Sequence, residues 1–206
     1  MKLKPTQEEL KSILDGHMKA LAGDGPLVDL RRADLRGLDL RGAYLRGVNL
    51  LKADLSAAQL SSADLSRADL RGADLSGADL SSADLSRADL RGAYLRGVNL
   101  RGADLSEAHL ESANLRSANL SEANLSNAFL CGANLSRAVI LDANLRGPHF
   151  DGADLSGAIL RQSNLHGVFL GDADLSGADV RGTSLDYVTL TGADLSGLRV
   201  SEATKF

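Results

Sequence analysis

Four histidines, one cysteine and a dense supply of serine and aspartate are the residues of this chain that could do chemistry. A nucleophile needs a base within hydrogen-bond reach, and a metal ion needs three or four convergent ligands. His17, His109, His149 and His166 are scattered, and His109 and His149 stand 40 residues apart. Cys131 is alone, so it makes neither an intrachain disulfide nor a thiolate metal site. Ser, Asp and His often fall near one another, but only because Ser and Asp recur throughout. The Asn-Leu-Ser triplets at Asn119, Asn124 and Asn134 are products of the same recurrence and do not signal glycosylation. Neither a phosphate-binding P-loop nor a G-x-G-x-x-G turn is present. The expectation is no catalytic residue, no cofactor and no metal: a protein that is not an enzyme.

Composition narrows the partners. The 206 residues are 44% apolar but only 3% aromatic, with no tryptophan. Twenty-three Lys and Arg against 27 Asp and Glu give a net charge of −4, which excludes a basic nucleic-acid binder held by phosphate contacts. No apolar run is long enough for a transmembrane helix, and the N-terminal MKLKPTQEEL lacks the apolar stretch of a signal peptide. A cytoplasmic protein with neither membrane nor nucleic acid as partner is expected.

The element that must position any site is set by a period of five. From Leu30 to Val200 every fifth residue is apolar, 35 times without insertion or deletion, and 31 of these are Leu. Two residues earlier, 25 of the 35 are Ala, and between them stands Asp 15 times and Asn 8 times. An α-helix would spread these leucines around its circumference, and a straight strand would alternate their faces. Each pentapeptide must therefore hold a short extended piece and a corner. Ala and Leu share the inner face, Asp or Asn faces outward, and the following Ser/Arg and Gly turn the chain. SSADLSRADLRGA at 61–73 recurs at 81–93, and ADLSG at 153–157 recurs at 173–177 and 193–197. These shifts of 20 favour four pentapeptides per coil. RGAYLRGVNL recurs with a shift of 50, at 41–50 and 91–100, as a duplication that sets no coil size.

Residues 28–200 resemble the pentapeptide-repeat proteins, whose motif is A(D/N)LXX. The resemblance implies an all-β solenoid: a right-handed quadrilateral parallel β-helix of about nine coils, roughly 42 Å long at about 4.8 Å per coil. Three segments are expected: 1–27 as an N-terminal capping helix and connector, 28–200 as the β-helix, and 201–206 as a tail. In the first, Thr6 and Glu9 read as a capping box. Leu10, Ile13, Leu14, Met18 and Leu21 follow at helical spacing, and Gly23, Gly25 and Pro26 end the helix. It either covers the first coil's open edge or docks a partner. Pro148 replaces an inner Ala and predicts a local distortion. At the other end, Phe206 folds over the last coil or that end pairs with a second copy as a homodimer, although the C-terminal dimerisation helix of many family members is missing.

Taken modulo 20, the outward positions contain one irregular column: His109, Phe129, His149, Phe169 and Thr189, with Cys131 beside it. At the expected coil height, His109 and His149 are about 9.6 Å apart, too far to share a metal ion. On the opposite side Val139 and Ile159 replace Asp or Asn, with Leu141 nearby. Exposed apolar groups in a patch can mark a contact surface. The alternative is drift at a tolerant position, with the rings stabilising one another. A third column stacks Asp154, Asp174 and Asp194 in an acidic half: residues 103–206 carry a net −6 and residues 28–102 a net +2. The chain reads as a protein-binding or scaffold rod. The family resemblance implies an alternative, because several members protect DNA gyrase, a type II topoisomerase, from quinolones or peptide toxins by mimicking duplex DNA. Magnitude restrains it: −6 over roughly 25 Å is one net charge per about 4 Å, against one per about 1.7 Å in DNA.

Overall fold

The five-residue period is resolved in space by one corner per pentapeptide. The computed structural model describes residues 3–21, 28–202 and 204. Each outward residue pairs in parallel with the residue twenty positions on, from Asp29–Asn49 to Asp179–Arg199. Four pentapeptides therefore complete a coil, and the chain winds as a right-handed quadrilateral β-helix. Each side contributes a single paired residue per coil, so its four walls are narrow ladders.

The backbone amides of one repeat show why the motif works. Leu50 donates to the Asp69 carbonyl in the next coil, at 2.8 Å. Leu51 donates to its neighbour's side chain, Asn49 Oδ1, at 3.1 Å. Lys52 donates to Arg71 O in the next coil, Ala53 closes the turn onto Leu50 O, and Asp54 donates to Ala33 O in the preceding coil. All five N–H groups are satisfied, three between coils and two within the corner. The Asp or Asn is thus more than an outward polar residue. Its side-chain oxygen captures the amide two residues on, an Asx turn that sets the corner.

The corner itself needs a left-handed residue. All 34 residues at the second position after the inner apolar residue, from Arg32 to Gly197, have φ between +53° and +76°. Half are glycine, which adopts this region without steric cost. The other half include Ser, Arg and Glu held there by the turn bond and the ladders on either side.

The interior is filled by the repeated Leu and Ala, nearly all fully buried. Pro148 is buried in an Ala position, as the pattern required, and its neighbourhood departs from the rule. Its missing N–H leaves Leu145 without the usual turn bond. In the preceding corner, Ala143 N donates to Ser163 Oγ at 3.1 Å instead of closing onto Ile140 O, and that hydroxyl donates to Ile140 O at 2.6 Å. The Phe169 N–H reaches Pro148 O at a lengthened 3.2 Å.

Helix α1 (Gln7–Leu21) opens with the expected capping box: Thr6 N donates to Glu9 Oε2 at 2.8 Å and Glu9 N to Thr6 Oγ1 at 3.2 Å. Accepting the Thr6 amide keeps the Glu9 carboxyl below its usual range. The N-terminal segment lies against the first coil. Leu3 O accepts from Asp34 N, and the Gln7 amide exchanges two bonds with the Asp39 backbone. His17 is fully buried, with Nδ1 accepting from Val28 N and Nε2 facing Arg46 O at 3.1 Å. Its partners require the tautomer with the proton on Nε2. Leu10 and His17 are therefore buried, with Ile13 and Leu14 partly buried beside them, while Met18, expected in the stripe, is 42% exposed and the Leu21 side chain lies outside the described residues. The expected helix stop at Gly23, Gly25 and Pro26 and the placement of Phe206 fall outside the described residues. Among the described residues no helix is long and apolar enough to cross a membrane.

Candidate functional site

A wall that presents one outward residue per coil turns a twenty-residue spacing into a stack. His109, Phe129, His149 and Phe169 pair successively along one wall, ending at Thr189. Their rings are nearly parallel, at 9°, 7° and 3°, with centroids 4.7, 5.6 and 4.6 Å apart. These separations follow the coil height, because each ring is carried on its own rung. Phe169 is 41% exposed, and the imidazoles are exposed to a similar degree. The sequence-derived column is therefore one continuous aromatic face.

Beside it runs a second column two residues on. Glu111 Oε1 lies 3.1 Å from His109 Nδ1, and Asp151 Oδ2 lies 3.9 Å from His149 Nδ1. Cys131 stands between these carboxylates, half-buried, with Sγ 4.0 Å from His149 O. Burial first, and the nearby Asp151 carboxylate second, push its thiol pKa up, the wrong direction for a nucleophile. Among the described residues no three His, Cys, Asp or Glu are placed to hold a metal ion.

The Asp154, Asp174 and Asp194 carboxylates also form a column, each accepting the amide of the serine two residues on at 2.8–2.9 Å. The Ser196 amide and hydroxyl keep Asp194 below its usual pKa. Among the described residues these three make no ion pair. Several N-terminal aspartates differ, because arginine stands in place of that serine. Arg31, Arg36, Arg41 and Arg71 each fold back onto the Asp two residues earlier, at 2.6–2.8 Å. The guanidinium hydrogen bonds depress the pKa of Asp29, Asp34, Asp39 and Asp69, that of Asp39 to about 2. Groups depressed in the folded state contribute stability above their unfolded pKa, about 3.9, and lose it as pH falls toward the folded value. The melting temperature followed by circular dichroism should be unaffected by these pairs from pH 7 to about 5 and fall between about pH 4 and 2. An Arg31, Arg41 and Arg71→Gln variant should lose part of that acid dependence. An unchanged acid profile would show that the pairs are screened surface contacts.

Two features escaped the sequence reading. His166 meets Tyr187 edge-on at 5.1 Å, and Tyr187 is 84% exposed. Asp179 is nearly buried among arginines from three coils. The His166–Tyr187 contact and the approach of Arg161 and Arg199 to Asp179 become visible only when residues about twenty apart are read as neighbours.

A family model of pentapeptide repeats matches residues 28–61, 58–97, 98–137, 113–147, 141–177 and 173–204. No curated protein matches the sequence. Among solved structures, HetL from the cyanobacterium Nostoc sp. strain PCC 7120, a pentapeptide repeat protein involved in heterocyst differentiation regulation, is 31% identical. That similarity covers 100% of this chain and 94% of HetL, with a TM-score of 0.76. A trypsin-treated form of QnrB1, a plasmid-mediated fluoroquinolone resistance protein, is 23% identical over 84% of this chain and 87% of its own, with a TM-score of 0.50. This second likeness is one of fold alone.

Proposed function

This chain belongs to the pentapeptide-repeat family, and from that premise we propose that it acts in the cytoplasm as a non-enzymatic rod that binds another protein. The observation that carries the reading is the aromatic face His109–Phe129–His149–Phe169, a flat, half-exposed surface where the repeat would ordinarily place Asp or Asn. The filled Leu and Ala interior supports a binding role, since it confines recognition to the outer walls. The regulatory involvement of HetL is consistent with such a rod. The test is affinity capture from host extract on immobilised wild-type protein and on a Phe129→Ser/Phe169→Ser variant. A partner retained by the first and lost by the second supports this face. Equal retention rejects it. Exposed Leu195 and Val200 on the last described coil make end-to-end pairing of two copies part of the same proposal.

A second reading, binding to a type II topoisomerase as a DNA mimic, is favoured by one observation. Asp154, Asp174 and Asp194 hold one carboxylate at each coil, without an ion pair among the described residues, about 4.8 Å apart, compared with one phosphate per about 3.4 Å along a DNA strand. On this reading the protein inhibits gyrase supercoiling or protects it from a quinolone at micromolar concentration. Replacing the three aspartates by Asn weakens that effect about tenfold and flattens its salt dependence. No effect of the wild-type protein at high concentration removes the reading.

A further inference from the structure

The wall opposite the aromatic face carries a different kind of surface. Its outward column runs Asn119, Val139, Ile159, Asp179, Arg199. Three guanidinium groups from three successive coils converge on the Asp179 carboxylate, which is only 6% exposed. Arg181 grips it in a fork, Nε to Oδ1 at 2.9 Å and Nη2 to Oδ2 at 2.8 Å. Arg161 Nε and Arg199 Nη1 stand at 3.9 and 4.0 Å, inside ion-pair range but beyond hydrogen-bond length. One carboxylate thus stands among three guanidinium groups. Between Arg161 and Arg181 lies a cleft of about 410 Å³, walled also by Leu141, Gln162 and Gly182. Asp142 and Glu202 belong to the same corner column as Gln162 and Gly182 but do not line the cleft.

From this arrangement we infer that the cleft is an anion site for a phosphorylated peptide side chain. The two guanidinium groups that line the cleft favour phosphate over carboxylate, because a phosphomonoester carries nearly two negative charges at neutral pH and offers three strong acceptor oxygens. A single carboxylate would be served by one guanidinium fork. Arg181 is held in place by Asp179, so its orientation is fixed before the ligand arrives, while Arg161 keeps donors for the phosphate oxygens. The apolar neighbours argue for a peptide rather than a free ion. Leu141 lines the cleft, and Ile159 and Val139 continue the column below Asp179, where the repeat would normally place polar residues. A phosphoserine flanked by leucines would set its phosphate between the arginines and its apolar residue on this strip.

The full-length protein is titrated in a calorimeter with the peptide acetyl-Leu-Leu-phosphoSer-Gly-amide, the same peptide without phosphate, and inorganic phosphate. Saturable binding of the phosphopeptide is expected, at least tenfold tighter than inorganic phosphate and absent for the unphosphorylated form. Arg161→Gln, which leaves the Arg181–Asp179 fork intact, should weaken it about tenfold with an unchanged melting temperature. Arg199→Gln, at a cation outside the cleft lining, should have a smaller effect. Arg96→Gln, an exposed cation of the N-terminal half, should have no effect. Asp179→Asn removes the internal competitor, and binding by that variant should tighten even though its melting temperature falls. Equal binding of phosphopeptide and inorganic phosphate would overturn the peptide assignment. Absence of saturable binding, or binding unaffected by Arg161→Gln, would overturn the site. Because this wall lies opposite the aromatic face, neither result alters the Phe129/Phe169 capture experiment.

Discussion

Replacing Phe150 by Ala is expected to lower the free energy of unfolding by about 3–5 kcal/mol, read from urea denaturation followed by far-UV circular dichroism. Phe150 is the one aromatic residue at an inner apolar position, and it is completely buried. Its column is otherwise leucine, with Leu130 in the preceding coil and Leu170 in the next. The coil around it is short of backbone bonds: Pro148 cannot close its turn, and Ala143 is held by a serine hydroxyl instead of a carbonyl. A cavity there has little rigid structure to support it. In a repeat protein, stability is a sum of coil terms and interface terms, so a weak coil is where cooperativity breaks. The variant should therefore unfold in two steps, with coils beyond residue 150 released first and amides near Leu100 still protected from hydrogen exchange. Phe150→Leu restores the column's usual residue and should cost less than about 1.5 kcal/mol. Phe150→Ala no worse than Phe150→Leu would show that the coil collapses onto the gap and that the distortion is not a weak point.

The period of five made the coil legible because it could be satisfied only one way, and the recurrence at twenty fixed which rungs meet. From those two spacings followed the His109–Phe129–His149–Phe169 column and the Asp154–Asp174–Asp194 column, both of which stack as the arithmetic requires. What stayed hidden was chemistry within the corner. Asp54 and its equivalents were read as outward polar residues, yet Asp54 Oδ1 accepts the Ser56 amide and hydroxyl. The preference for Asp and Asn over other polar residues was the available signal. His17 is not apolar, so apolar spacing points to Met18 instead, whereas positions 10, 13, 14 and 17 face the first coil. A buried imidazole is suited there because it can meet both an amide and a carbonyl at a coil edge. The arginines around Asp179 are 18 to 38 residues apart in sequence and share a site only because their coils stack.

The Phe129→Ser/Phe169→Ser variant is expected to weaken partner binding by at least about 30-fold, the loss typical of removing aromatic anchors from the centre of an interface. The fold should survive. Neither phenyl ring belongs to the inner column, and the ladder bonds of Phe129 and Phe169 are made by their backbones, which serine keeps. The stack itself will be lost, since both rings flank His149 and all three ring contacts include one of them. At about 0.5–1.5 kcal/mol per stacked pair, stability should fall by a few kcal/mol at most, so binding must be measured well below the melting temperature. A second variant separates the roles of the rings. Phe129→His/Phe169→His keeps flat stacking faces but replaces the apolar surface with imidazole. If the column serves only to stabilise its own wall, this variant melts like the wild type and binds like it. If the column is the contact face, it melts like the wild type and still loses the partner. Retention of the partner by both variants would confine the aromatic ladder to a stabilising role and move the binding surface to another wall.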